Sequence, residues 1–546
     1  MSTPQTHEST AVTEGDDTEV RDAREWHRQA FGIILGLALA ALVYFIFPSD
    51  AAETVLESAG ADPEVEYSHQ AMRIVAATTV LMAAWWMTEA IPLAATALVP
   101  IAVFPLAGVA SFSDVGSPYA SSTIFLFMGG FLLALGLQRW NVHRRMALGV
   151  VMAVGTSPKR LILGFMIATG FLSMWVSNTA TAVMMLPIGV SVLVLVAQAG
   201  SEHAGEDLGS IDANAAHDSD EVKDAIVRSN FGTALMLGIA YAASIGSLGT
   251  IIGTPPNTLL VGYMAENFGV RIGFGQWMLV GVPIAVVFMV FCWFLLTHLL
   301  FRPEVKHIPG GRELFDEELA KLGPMSKGEA RVLAMFVFAA LAWVFVPLVS
   351  QYLLGLEDPF VSDAGIAMIV GVLLFLIPGG SARGVRLLDW DSAVKLPWGV
   401  LLLFGGGLAL SSQFTSSGLT EWIGSHVSAL GGLPSIIIIA VITTGVLFLT
   451  ELTSNTATAA TFLPVAAGVA IGLGIDPMLL CVPVALSATC AFMLPVATPP
   501  NAIAFGSGYV TIGQMVKGGL FLNLTGIVFV TLTATTLLVW VFGLSM

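Results

Sequence analysis

Hydrophobic residues in this chain come in runs of about 20, bounded by Gly, Pro and charged positions, and not in the alternation expected of strands. The runs lie at about 29–47, 71–87, 91–109, 121–138, 231–264, 276–300, 330–349, 363–378, 398–413, 479–508 and 519–543, and each predicts a membrane-crossing helix. Two further runs break the pattern. Residues 161–197 hold no charged side chain and 434–473 hold only Glu451, yet each carries a Ser-Asn-Thr cluster near its middle. Two complete spans and a turn need roughly 40 residues, so each run predicts a re-entrant helical hairpin whose tip stops inside the membrane.

Composition narrows the class. The 546 residues are 56% hydrophobic and 11% charged, against roughly 25% charged in an average soluble domain. That excludes a water-soluble globule. Cys292, Cys481 and Cys490 all fall in apolar runs and offer no disulfide framework or thiolate metal site. The net charge of -16 is concentrated in the N-terminal tail and in Ser201–Asp224, which argues against nucleic acid as a partner. Lys is scarcer than Arg, a balance that with the acidic loops suits a high-salt setting or simply aids solubility. Residues 1–28 are polar and acidic and read as a disordered cytoplasmic tail.

Basic residues test the topology. With the N-terminus inside and both hairpins returning to their side of origin, all of the 22 Lys and Arg residues except Arg73 and Arg271 fall on the cytoplasmic side. The predicted order is a tail at 1–28, the first helix and first repeat at 29–300, a cytoplasmic linker at 301–329 and a second repeat at 330–546. The location this implies is the plasma (inner) membrane.

An internal repeat underlies that division. Ser177-Asn178-Thr179-Ala180-Thr181-Ala182 recurs as Ser454-Asn455-Thr456-Ala457-Thr458-Ala459, and Leu186-Pro187 recurs as Leu463-Pro464 at the same spacing. That spacing also pairs Phe127, Gly129 and Gly130 with Phe404, Gly406 and Gly407. Downstream, Thr254-Pro255-Pro256-Asn257 recurs as Thr498-Pro499-Pro500-Asn501, closer together because the first copy carries a polar insertion at about 199–229. An odd number of crossings per repeat makes the halves face opposite ways. The fold class is therefore an all-α polytopic membrane protein, an inverted-topology repeat with about 11 transmembrane helices and two re-entrant hairpins.

The motifs suit ion binding. Thr254 and Thr498 are good N-caps followed by prolines, so each motif reads as helix, interruption, new helix. New helix N-termini carry positive dipole ends and free N–H groups for an anion, while released carbonyls and Ser, Thr and Asn oxygens suit a small hard cation. Ser173 precedes Ser177 by one turn, and Thr450 precedes Ser454 likewise. Gly253 and Ala497 stand directly before the two breaks, where carbonyls are freed. Neutral oxygens fit Na+ better than a proton. A lone membrane Ser or Thr usually bonds its own backbone, and a lone Pro-Pro usually only kinks a helix; their joint repetition in inverted halves points to a central site. Glu89 suits an interfacial structural acid as well as a coupling role, and Glu451 is a weaker proton-site candidate. Metal-ligand spacing, nucleophile constellations and phosphate loops are missing from the sequence, which leaves an enzyme without support.

These motifs, with Trp85-Trp86-Met87-Thr88-Glu89-Ala90-Ile91-Pro92 and Gly405-Gly406-Gly407, resemble the divalent anion/sodium symporters, over about residues 29–543. The resemblance implies a homodimer in the lipid bilayer, with a static scaffold and a mobile transport domain carrying a di- or tricarboxylate and co-transported Na+ by an elevator motion. It implies one Na+ site at Ser173, Ser177, Asn178 and Gly253 and another at Thr450, Thr453, Asn455 and Ala497. Substrate carboxylates would meet Asn178, Thr179, Thr254, Asn455, Thr456, Thr498 and Pro499. Na+-coupled dicarboxylate uptake is the leading expectation; a Na+-independent dicarboxylate or sulfate exchanger of the same fold and an anion channel are the alternatives.

Overall fold

A computed structural model describes residues 23–56, 67–204, 229–305, 308, 311–356, 358–382, 384–427 and 432–545. Among these residues the elements are helical, apart from one isolated bridge between Pro378 and Arg386. Nine helices in the described residues are long and apolar enough to cross a membrane. Seven correspond to single expected spans: Trp26–Ile46, His69–Thr88, Phe112–Arg139, Phe274–Leu300, Lys327–Leu353, Trp398–Ser417 and Ile512–Phe542. The other two, Asn178–Val196 and Asn455–Gly472, are the returning arms of the helix pairs that carry the Ser-Asn-Thr clusters. The spans expected at 91–109 and 363–378 are the shorter helices Leu93–Leu106 and Asp363–Leu376.

Each hairpin turns in four residues. The first runs Pro158–Ser173, turns at Met174–Ser177 and returns as Asn178–Ala204. The second runs Ser435–Thr450, turns at Glu451–Ser454 and returns as Asn455–Gly472. Three of the four arms have 16, 16 and 18 residues. At about 1.5 Å per residue they run roughly 24–27 Å, short of the ~30 Å hydrocarbon core.

The two remaining spans are interrupted. Asn230–Ser247 gives way to an irregular stretch before Pro255–Phe268, and Met478–Thr489 gives way to a longer one, with a short 3-10 turn at Pro495–Ala497, before Pro499–Gly506. Proline disfavours helical geometry in the residue before it. Thr254 (φ -142, ψ 142) and Thr498 (φ -143, ψ 149) accordingly share one extended conformation. The motif's Asn then reaches back to the carbonyls released by the break. Asn257 Nδ2 donates to Leu248 O (3.3 Å) and Thr250 O (2.9 Å), and Asn501 Nδ2 donates to Ala491 O (3.3 Å) and Leu494 O (3.1 Å).

Packing joins these elements across the repeats. The incoming arm of the first hairpin lies along Asn230–Ser247, so closely that a Cβ on Gly246 would sit 2.2 Å from Gly170 O. Its returning arm packs on Pro499–Gly506 of the other half, and Pro255–Phe268 packs on the second hairpin's returning arm. Phe127 and Phe404, counterparts in the repeat, meet edge to face with ring centroids 4.8 Å apart. A residue that touches its own counterpart lies beside the axis relating the halves.

Several boundaries differ from expectation. The first helix starts at Ala23, inside the stretch expected as tail, and residues 1–22 lie outside the described residues. The returning arm continues to Ala204 into the expected polar insertion, of which 205–228 lie outside the described residues. The last long helix starts at Ile512, because Thr511 and Gln514 form a reciprocal capping box. The expected linker contains the helix Gly311–Leu322, tied to helix Val142–Val154 by Arg144–Glu318, while Arg145 bonds Gly323 O at 2.9 Å.

Candidate substrate and cation site

At the first tip, Ser173 Oγ donates to Asn178 Oδ1 at 2.6 Å, and Asn178 Nδ2 donates to Ser247 Oγ at 3.3 Å. Ser247 ends the first half of the broken helix, and a Cβ on Gly253 would sit 2.3 Å from Ser247 O. Ser173, Asn178 and Gly253, predicted as one group, thus converge through Ser247, a residue the sequence reading did not single out. Ser177 Oγ accepts from Ala180 N at 3.3 Å and caps the returning arm.

The second tip repeats the bridge. Thr450 Oγ1 donates to Asn455 Oδ1 (2.9 Å) and lies 2.9 Å from Ala488 O, the last turn of Met478–Thr489. Here the link to the broken helix is a backbone carbonyl where the first half uses a serine. Thr453 Oγ1 donates to Leu449 O at 3.0 Å and lies 2.7 Å from Thr458 Oγ1, so it stitches the hairpin's own arms together. Ala497 is buried in the 3-10 turn just before Thr498.

The two breaks meet. Thr254 Oγ1, 1% exposed and without a capping bond, lies 3.3 Å from Thr489 Oγ1 of the other half. Thr489 was likewise not anticipated. Thr498 Oγ1 accepts from Asn501 N at 3.3 Å. Thr179 and Pro499 are exposed, and Asn178, Asn455 and Thr456 are half-buried, so both tips present polar groups to open space. A cavity of about 290 Å³ beside the first tip is lined by Gln138, Asn141, His143, Val176, Ala180 and Thr181, with the Thr181 hydroxyl buried and unbonded. Burial holds His143 below the ordinary histidine pKa, against its 3.1 Å bond to Leu137 O and reinforced by the Arg144 charge.

Glu89 caps the His69–Thr88 helix in left-handed geometry (φ 48) and is exposed. Glu451, weighed above as a proton site, is 3% exposed and its oxygens are taken by N–H donors.

A family model described as the sodium:sulfate symporter transmembrane region matches residues 63–544. The chain belongs to this family. The sodium-dependent dicarboxylate transporter SdcS of Staphylococcus saprophyticus subsp. saprophyticus is 41% identical over 518 residues, covering 95% of this chain and 93% of that protein. SdcS of Staphylococcus aureus (strain USA300) is 42% identical over 475 residues, covering 86% and 87%. The crystal structure of the Alcanivorax borkumensis YdaH transporter, described as revealing an unusual topology, matches with a TM-score of 0.52 at 12% identity, covering 95% of this chain and 98% of that one. That likeness concerns the fold. As a member of the sodium:sulfate symporter family the chain is a multi-pass membrane transporter and not an enzyme, in agreement with the resemblance read from its motifs.

Within this sodium:sulfate symporter framework one expectation needs correction. The helices after both breaks begin with two prolines, which have no N–H, and at Pro499–Gly506 the next N–H is bonded to Thr498. These N-termini supply a positive dipole with few or no donors. Pro499 can offer an anion only its ring. At the second hairpin tip, by contrast, Ser454 makes no side-chain cap and the first N–H groups of the returning arm lack intrahelical partners.

Proposed function

We propose that this protein is a Na+-coupled carrier of dicarboxylates such as succinate, malate or fumarate, or of related divalent anions, working as a homodimer in the plasma membrane with its N-terminus in the cytoplasm. Its hairpins and broken helices move together through an elevator-type alternating-access cycle. The observation that carries this reading is the duplicated hydroxyl–amide bridge, Ser173 to Asn178 and Thr450 to Asn455, each beside a broken helix. Each bridge brings together two neutral oxygens, a donor set for a small hard cation. Lys and Arg are missing from 161–197, 231–264, 434–473 and 479–508, so a dianion there needs co-bound cations for charge balance. The names of the SdcS relatives support sodium and dicarboxylate.

In this reading Ser173, Ser177, Asn178 and Gly253 form one cation site, and Thr450, Thr453, Asn455 and Ala497 the other. Asn178, Thr179, Thr254, Asn455, Thr456, Thr498 and Pro499 face the substrate. The close Gly170–Gly246 contact supports joint movement of the first hairpin and its broken helix. Uptake of labelled succinate into proteoliposomes, with and without an inward Na+ gradient, tests the coupling. Uptake that rises with Na+ supports it. A flat Na+ response with uptake driven only by an opposing anion gradient rejects it in favour of exchange.

A further inference from the structure

The two tips are not equivalent. Glu451 opens the second turn where Met174 opens the first, and it is the one charged side chain in either hairpin run. Its Oε1 accepts from Phe492 N (2.7 Å), Met493 N (2.9 Å) and Asn523 Nδ2 (2.6 Å), and its Oε2 accepts from Met493 N (3.1 Å) and Leu494 N (3.1 Å). Four N–H groups therefore surround the carboxylate, and each bond needs a lone pair that a proton or a coordinated ion would take. Both carboxylate oxygens are thereby held in place. The group ties the tip, the irregular stretch of the broken helix and the last long helix, Ile512–Thr535, into one knot.

The first half has no such carboxylate at its tip. Ala285 stands where the repeat would place Asn523, each four residues after a glycine that packs on the break, Gly281 on Leu248 and Gly519 on Phe492, and the corresponding stretch is held by donors aimed at carbonyls: Thr250 Oγ1 on Met174 O, and Trp277 Nε1 on Leu248 O at 3.1 Å. Glu451 is covalently next to Thr450, whose hydroxyl bonds Asn455 Oδ1 and approaches Ala488 O. The clamped residues 492–494 lead directly into the turn Pro495–Ala497.

We propose that Glu451 is a positioning residue of the second cation site. Its clamp on 492–494 holds the stretch beside that site in place and makes the site the tighter of the two, so that it fills at lower Na+ than the first. A site held in place before the ion arrives gives up less conformational freedom on binding. This inference rests on the Na+-coupled reading above.

The test is initial succinate uptake against Na+ concentration in proteoliposomes of the parent, Glu451→Gln and Asn523→Leu, each variant alone and combined with Ser173→Ala or Thr450→Ala. Glu451→Gln should raise the half-maximal Na+ concentration about tenfold while leaving succinate KM at saturating Na+ within about twofold. Combined with Thr450→Ala it should add little, because both act on one site; combined with Ser173→Ala the shifts should multiply. Asn523→Leu removes one donor and keeps the backbone bonds, so it should shift the curve less in the same direction, and it carries the test where Glu451→Gln is not recovered as folded protein. An unmoved Na+ curve with reduced kcat, or shifts that multiply equally with both hydroxyl variants, overturns the proposal and leaves a structural brace. A flat parent curve rejects Na+ coupling itself, an outcome distinct from a Na+-dependent parent with unshifted variants.

Discussion

Ser173 Oγ lies 2.6 Å from Asn178 Oδ1, a hydrogen bond that closes the first tip on itself with a side chain from each arm. Both oxygens are uncharged and need only rotate the hydroxyl proton aside to face a shared ion. Ser173→Ala should therefore raise the Na+ concentration for half-maximal uptake about tenfold, equivalent to a loss of roughly 1–3 kcal/mol. Substrate affinity should largely recover at saturating Na+, because cation and anion binding are linked reciprocally. Thr450→Ala should behave likewise. Uptake curves in parent and variants check this, and unshifted curves remove these hydroxyls from the ligand set.

Asn178→Ala and Asn455→Ala should each abolish transport in protein that remains folded and membrane-inserted. Each amide oxygen bonds the hydroxyl one turn ahead, and Asn178 also reaches Ser247. Ser247→Ala, which removes one acceptor for Asn178, should reduce the rate and not eliminate it. Size-exclusion profiles with uptake rates separate a folding defect from a binding defect, and normal transport by Asn178→Ala at low Na+ rejects its role.

Gly246→Ala should destabilise the protein by about 1–3 kcal/mol, since the added methyl would overlap the backbone of Gly170. Gly445, in the second hairpin's incoming arm, has nothing within 4 Å of an added Cβ. Gly445→Ala should be neutral or stabilising by up to about 1 kcal/mol. Thermal unfolding in detergent measures both, and equal midpoints would contradict the close packing.

Ser381→Cys and His426→Cys should label from opposite faces, the first from the cytoplasm and the second from outside. Both positions are exposed, and the native Cys292, Cys481 and Cys490 are buried, so background labelling should be low. Reaction of both with an impermeant maleimide from one face would reject the topology.

Motifs that recur were the legible part. Ser-Asn-Thr located both tips and Thr-Pro-Pro-Asn both breaks, because a cluster of hydroxyls and amides or a Pro-Pro pair stands out against apolar runs. Phe127 and Phe404 could be paired as counterparts, although their contact could not be foreseen from the repeat. Ser247, Thr489 and Asn523 were not legible: each is a single small polar residue in an apolar run, and its role comes from a partner far away in the chain. Glu451 was conspicuous by its charge, but its main partners are backbone N–H groups, which every residue except proline has. The helix Gly311–Leu322 was hidden for the opposite reason, since its mixed charge reads as linker until Phe315 is seen buried against Phe165.

The prolines that open both post-break helices bear on how such a carrier lets go of its cargo. A helix end without donors attracts an anion through its field and forms no bonds that must be broken before departure. If most of the donors belong to the hairpin tips, a small displacement of one tip strips the anion of directional contacts, while the attraction that drew it in changes little. Capture and release would then be governed by separate parts of the protein, a standing field from the broken helices and a detachable set of hydrogen bonds from the tips.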